Sequence, residues 1–114
     1  MTTTTELVDR YFALAPQADS GPYFAQFAED ATAEDEGVSY HGIEAIRAWR
    51  TSVPPVSYEV LDVQKVGDEQ VARAEISGDF PGSPVVLRFH FTFTDDGLVE
   101  SLAIRSRLPP ASEP

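Results

Sequence analysis

The chain has 114 residues, 42% of them apolar, and eight Lys and Arg against nineteen Asp and Glu give it a net charge of −11. That length suits one domain with one core, and the acidity disfavours nucleic acid and anionic membrane surfaces as partners. Without cysteine, disulfides, thiolate nucleophiles and cysteine-ligated zinc are excluded.

The start, Met1-Thr-Thr-Thr-Thr-Glu6, has neither a basic nor an apolar targeting region, and no stretch approaches the ~20 apolar residues that span a bilayer. These features predict a soluble, cytoplasmic protein. Thr3-Thr-Thr-Glu6 fits a capping box, and Leu7, Val8, Tyr11, Phe12, Leu14 and Ala15 follow at helical spacing. A first helix is predicted from about Thr4 to Ala15, ended by Pro16. Ser20 is a plausible N-cap with Pro22 in the first turn, and Tyr23, Phe24, Phe27 and Ala28 form a short second helical stripe.

From Phe27 to Gly37 the helical period is lost, and β-prone Thr32 among acids suggests a short strand leading into a polar loop. His41-Gly42 marks a boundary. Ile43, Ala45, Ile46 and Trp49 with Glu44, Arg47 and Arg50 read as a third helix, about Ile43 to Thr51, which Pro54-Pro55 stops. Ser57 to Val66 and Val71 to Ser77 read as two strands joined by a turn at Gly67-Asp68-Glu69.

Phe80 to Pro84 is a second turn region. The clearest strand is Val85 to Thr94, where Leu87, Phe89, Phe91 and Phe93 alternate with Arg88, His90, Thr92 and Thr94 to make one apolar and one polar face. Asp95-Asp96-Gly97 closes a hairpin onto Leu98 to Arg105, and the Pro-rich tail from Leu108 is expected to fray. Three helices followed by antiparallel strands define an α+β layer arrangement. The expectation is one domain over residues 1–108 with a flexible tail at 109–114.

Four residues could carry chemistry: Tyr11, Asp35, Trp49 and His90. Tyr11 shares the helical stripe of Leu7 and Leu14, so it is either an ordinary core tyrosine or a buried hydroxyl that meets a ligand. Asp35 lies in an acidic run with Asp30, Glu34 and Glu36, the usual mark of a solvated loop. Trp49 reads equally well as core or pocket wall. His90 is out of phase with Phe89 and Phe91 and points to the other sheet face with Arg88 and Thr92. His41 lies near the third helix, a second candidate for polar contact, and two histidines so far apart give a metal site little support.

Val8-Asp-Arg-Tyr11, Phe27-Ala-Glu-Asp-Ala-Thr-Ala-Glu-Asp35, Gly42-Ile-Glu-Ala-Ile-Arg-Ala-Trp49 and Phe91-Thr-Phe-Thr-Asp-Asp-Gly-Leu-Val-Glu-Ser101 occur in this order along the chain. Together they resemble the nuclear transport factor 2-like superfamily, in its SnoaL-like and ketosteroid isomerase-like branch. The resemblance implies a cone: three N-terminal helices packed on a strongly bent antiparallel or mixed sheet, around a pocket for a small apolar organic ligand, in a homodimer. It also implies Asp35 as carboxylate base and Tyr11 as the phenol that stabilises an oxyanion, with no cofactor and no metal. Phe24, Trp49, Ala74, Phe89, Phe91, Leu102 and Ile104 are the implied ligand-binding wall.

Two departures stand out. Phe89 occupies the place of the second oxyanion donor, a protonated acid, and Glu36 replaces a proline after the base in a loop that is shorter before Gly42. The implied activity is acid–base proton transfer on an apolar carbonyl compound, as isomerase, cyclase or dehydratase. The alternative is a non-catalytic ligand-binding or dimerisation module of the same fold.

Overall fold

A computed structural model describes residues 4–17, 21–51, 56–79 and 83–105. Helix α1 (Thr4–Leu14) is followed by the short α2 (Gly21–Ala25), strands β1 (Phe27–Asp35) and β2 (Val38–His41), and helix α3 (Ile43–Thr51). Four strands follow: β3 (Val56–Val66), β4 (Glu69–Gly78), β5 (Val85–Phe93) and β6 (Val99–Arg105). The proposed caps at Thr3 and Ser20, the Pro54-Pro55 stop, most of the turn at Phe80–Pro84 and the tail lie outside the described residues.

The α1 stripe buries Leu7, Val8, Tyr11, Phe12 and Ala15, and the helical bond from Ala15 N to Tyr11 O at 2.9 Å carries the winding one residue past the helix. In α2 only Tyr23 and Phe24 are buried helical residues. Phe27 and Ala28, expected to continue that stripe, instead begin β1. Phe27 pairs with Val99, and Val99 N donates to Gln26 O at 2.8 Å. The sheet ladder captures these residues because so short a helix has little propagation energy to oppose it.

The expected polar loop after β1 is also corrected. Glu36 and Gly37, with φ of 51° and 90°, turn the chain back into β2, whose residues pair from Asp35↔Val38 to Thr32↔His41. Positive φ at both central residues is the conformation that a two-residue hairpin demands. Gly42, at φ 89°, then ends the hairpin. Its N–H donates to Ala31 O at 2.7 Å, and its carbonyl accepts the first bond of α3 from Ile46 N at 3.0 Å.

The six strands form one mixed sheet in the order β2-β1-β6-β5-β4-β3. All neighbours are antiparallel except β1 and β6, which run parallel. Register shifts at Val60/Asp62, Phe27/Thr32 and Thr92/Phe93 add local twist and curve the sheet around the helices. The anticipated α+β architecture, with three helices on a bent sheet, is the one observed.

Along the inner face of β5, Phe89, Phe91 and Phe93 stack nearly parallel at centroid spacings of 6.5 and 5.7 Å. Tyr11 and Phe12 meet this ladder edge-on, Tyr11 at 5.2 Å from Phe91 and Phe12 at 5.0 Å from Phe89. Such edge-to-face pairs add to the energy of simple area burial, and they fix how far α1 can approach the sheet.

Candidate functional site

A cavity of about 280 Å³ remains between the helices and the inner sheet face, lined by Tyr11, Asp35, Trp49, Arg50, Val56, Tyr58, Ile76, Leu87, Phe89 and Ile104. Phe89, at the end of the aromatic ladder, forms part of its wall, while Phe91 is covered by the rings of Tyr11 and Phe12.

Asp35 is the last residue of β1, held between Val38 on β2 and Ile104 on β6. The next amide, Glu36 N, donates to Ile104 O at 3.0 Å, so the backbone carrying the carboxylate is fixed on both sides. Trp49 Nε1 donates to Asp35 Oδ2 at 3.0 Å. The indole itself is stacked on Tyr40 of β2, centroids 6.0 Å apart and planes 28° off parallel. The carboxylate is thus aimed by a donor that cannot turn freely.

Tyr11 is fully buried, and its hydroxyl lies 2.9 Å from the hydroxyl of Tyr23, itself 1% exposed. Burial raises the Tyr11 phenol well above its ordinary value, with Tyr23 and Tyr58 adding to the effect and Arg50 opposing it. Tyr23 is pushed up to about 12, again by burial first, against the pull of the Arg50 cation. Both phenols therefore keep their protons near neutrality and can act as donors. Each has only one proton to give. When Tyr23 donates to Tyr11, the Tyr11 proton is left for an acceptor in the cavity.

Arg50, from the last turn of α3, brings a cation into the same largely apolar wall. Its Nη2 donates to Ala15 O at 2.7 Å and to the Tyr58 hydroxyl at 3.2 Å, and its guanidinium carbon sits 4.4 Å over the Tyr23 ring. Burial opposes the charge, but the neighbouring phenols of Tyr23, Tyr11 and Tyr58 outweigh it and raise the guanidinium above an ordinary arginine.

Of the residues named from sequence, Tyr11, Asp35, Trp49, Phe89 and Ile104 line this one cavity. Phe24, Ala74, Phe91 and Leu102 are buried in the core beside it. Phe91 is covered by the Tyr11 and Phe12 rings, Leu102 pairs with Phe91 across β5 and β6, and Phe24 lies under the Arg47 guanidinium at 4.8 Å. Alternation gives the inward face of a strand but not which part of that face a helix covers.

Leu87 lies on the apolar face read from the alternation of β5, whereas Tyr58, Val56, Ile76 and Arg50 were not anticipated. The alternation of Val56, Tyr58 and Val60 could have revealed the first two of these, whereas an arginine on a helix reads as surface.

On the outer face, His90 Nδ1 lies 3.0 Å from Glu69 Oε1 and Thr92 Oγ1 2.6 Å from Ser101 Oγ. Arg88 stands between Arg73 and Arg105 in the strand register. His41 Nδ1 meets Thr32 Oγ1 at 3.0 Å on the sheet edge, away from the cavity. Among the described residues no three His, Asp or Glu side chains group as metal ligands, and no helix is long and apolar enough to cross a membrane.

Residues 8–101 match the SnoaL-like domain family. A candidate polyketide cyclase from Sinorhizobium meliloti superposes with a TM-score of 0.81 at 34% identity, over 91% of this chain and 100% of that one. A protein from Mycobacterium tuberculosis superposes at 0.79 with 18% identity, over 95% and 96% of the two chains. A ketosteroid isomerase-like fold from Catenulispora acidiphila, in complex with trimethylamine, superposes at 0.70 with 22% identity, over 98% and 100%. No curated protein matches the sequence.

Proposed function

The chain belongs to the SnoaL-like domain family, and on that premise we propose that it is an acid–base enzyme that moves a proton on a small carbonyl compound. The observation that carries this reading is that Asp35, aimed by Trp49, and Tyr11, backed by Tyr23, line one cavity.

In the proposed step the Asp35 carboxylate takes a proton from the carbon α to the carbonyl, and the C–H electron pair moves into the enolate. Tyr11 donates its hydrogen bond to the carbonyl oxygen as negative charge develops there. The protonated Asp35 then returns the proton to another carbon, or the enolate attacks an internal electrophile or expels a leaving group. These outcomes are isomerisation, cyclisation and elimination. The resemblance to a candidate polyketide cyclase supports the second of them.

Phe89 favours a competing reading, a ligand-binding module without turnover. It presents only a ring at 6.1 Å from that of Tyr11, where a second acid would complete the oxyanion site. A homodimer formed through the outer face of β4, β5 and β6, bearing Arg88, His90 and Thr92, is part of either reading and is measured by sedimentation.

Incubation with a β,γ-unsaturated cyclic ketone in deuterated water separates the two. The enzyme reading expects deuterium at carbon in wild type and none above background with Asp35→Asn. Equal exchange by both proteins removes Asp35 as the base, and no exchange by either leaves the binding module.

A further inference from the structure

We infer that the ligand of this cavity is a small carboxylic acid whose carboxylate pairs with Arg50. This rests on the cavity being the substrate site and narrows the substrate to a compound that carries an acid as well as its carbonyl.

The first observation is a cation with no carboxylate bonded to it. Among the described residues the partners of the Arg50 guanidinium are neutral: the Ala15 carbonyl, the Tyr58 hydroxyl and the Tyr23 ring. Among the described residues the ion pairs are Arg73 with Asp62, His90 with Glu69 and Arg105 with Glu34, and none involves Arg50. Among the described residues Arg10, Arg47 and Arg88 also have no carboxylate partner, and of these four arginines Arg50 is the one that lines the cavity. A cation taken from water is costly unless an anion faces it.

The second observation is preorganisation. The two bonds from Nη2 and the seat over the Tyr23 ring hold the guanidinium in place, while Nε and Nη1 have no hydrogen-bond partner among the described residues. Both two-pronged edges of a guanidinium include an Nη2 hydrogen and those are taken, so one fixed this way offers a carboxylate single charge-assisted hydrogen bonds from Nη1 or Nε and loses little freedom on binding it. The Ala15 carbonyl lies just past the C-terminus of α1, where the helix dipole favours a cation, so the charge is held in place without being neutralised.

The third observation is size. An apolar cavity of about 150 Å³ holds one benzene, so this one, at about 280 Å³, takes roughly a dozen non-hydrogen atoms, one or two rings with a short polar arm. A tetracyclic skeleton exceeds it. Val56, Ile76, Leu87, Phe89 and Ile104 supply the apolar wall for such rings.

The test compares 2-naphthoate with 2-acetylnaphthalene, which has nearly the same shape but no charge, by calorimetry at neutral pH. Wild type is expected to bind the acid roughly tenfold to a hundredfold more tightly, and Arg50→Gln is expected to erase that preference while Arg50→Lys keeps part of it. Because Arg50 also ties α3 to α1, each variant is first checked for native near-ultraviolet circular dichroism. The wild-type comparison needs no variant. Equal affinity of wild type for the two probes, tighter binding of the ketone, or no saturable binding of 2-naphthoate overturns the inference.

Asp35→Asn separates this inference from the proposed reaction, since it removes the base and a nearby negative charge. It is expected to bind 2-naphthoate at least as tightly as wild type. An acid preference without proton exchange in wild type refutes the reaction and leaves the Arg50 site, whereas exchange without an acid preference does the reverse.

Discussion

The indole Nε1 of Trp49 donates to Asp35 Oδ2 at 3.0 Å, joining the last turn of α3 to the end of β1 inside the cavity. A carboxylate at the end of an acidic run would otherwise extend into water. This bond, with the stacking of Tyr40 on the indole, turns it inward.

Removing that donor tests its role as a positioning group. A hydrogen bond to a charged acceptor is worth about 1.5–3 kcal/mol, so Trp49→Phe is expected to lower kcat/KM for the exchange reaction roughly tenfold to a hundredfold. The loss falls mainly in kcat. As the chain has one tryptophan, Asp35→Asn in turn shifts the emission of Trp49. An unchanged spectrum counts against the contact in solution.

The buried phenol pair predicts a strong energetic coupling. Tyr11→Phe or Tyr23→Phe each leaves the other hydroxyl without its partner in a dry site, for a loss of about 1–3 kcal/mol in urea unfolding. The double variant loses less than the sum of the two. For catalysis the pair divides. Tyr11→Phe removes the donor to the carbonyl oxygen and lowers kcat about a hundredfold or more, while Tyr23→Phe, which leaves that donor, lowers it less.

Stability at alkaline pH reports on Tyr23. Its phenol ionises near 10 when unfolded and at about 12 in the fold, so the unfolded chain loses the proton first. The contribution is fully present below about pH 10. It disappears as pH rises from there through about 12, a change of about 3 kcal/mol from this residue alone. Unfolding free energies measured across this range fall less steeply in Tyr23→Phe. A slope identical to that of wild type means that the phenol is not held protonated by burial.

The hairpin between β1 and β2 contains an unfavourable residue. Glu36 adopts φ 51°, where a side chain costs about 1 kcal/mol and where asparagine is better tolerated than glutamate. Glu36→Asn is expected to raise stability by about 0.5 kcal/mol, seen as a higher midpoint in urea. Gly37→Ala, at φ 90°, is expected to lower it by about 1 kcal/mol. The space around Gly37 is open, so any loss reflects backbone conformation and not a clash.

Much of the fold is legible along the chain. The alternation of Leu87, Phe89, Phe91 and Phe93 identifies β5 and its inner face, and the stripe from Leu7 to Ala15 identifies α1 and the face that it buries. Each signal is local, because a side chain's direction follows from helical or strand geometry alone. The β2 strand was not legible. Val38–His41 is short and largely exposed, so it carries no periodic pattern, and it exists because the Glu36-Gly37 turn brings it against β1.

Sequence by itself determined the α+β architecture, the apolar wall containing Phe89, and the presence of a phenol and a carboxylate in positions that resemble those of a proton-transfer enzyme. Tertiary structure alone decided that Asp35 leaves its acidic run for the cavity, since that depends on an indole fourteen residues away in the chain. It also decided that Phe91 and Leu102 are core while Tyr58 and Ile76 are wall, and that Arg50, an ordinary helical arginine by pattern, stands as a cation beside buried phenols. Periodicity specifies which way a side chain points, but only the packing of one element on another specifies what it meets there.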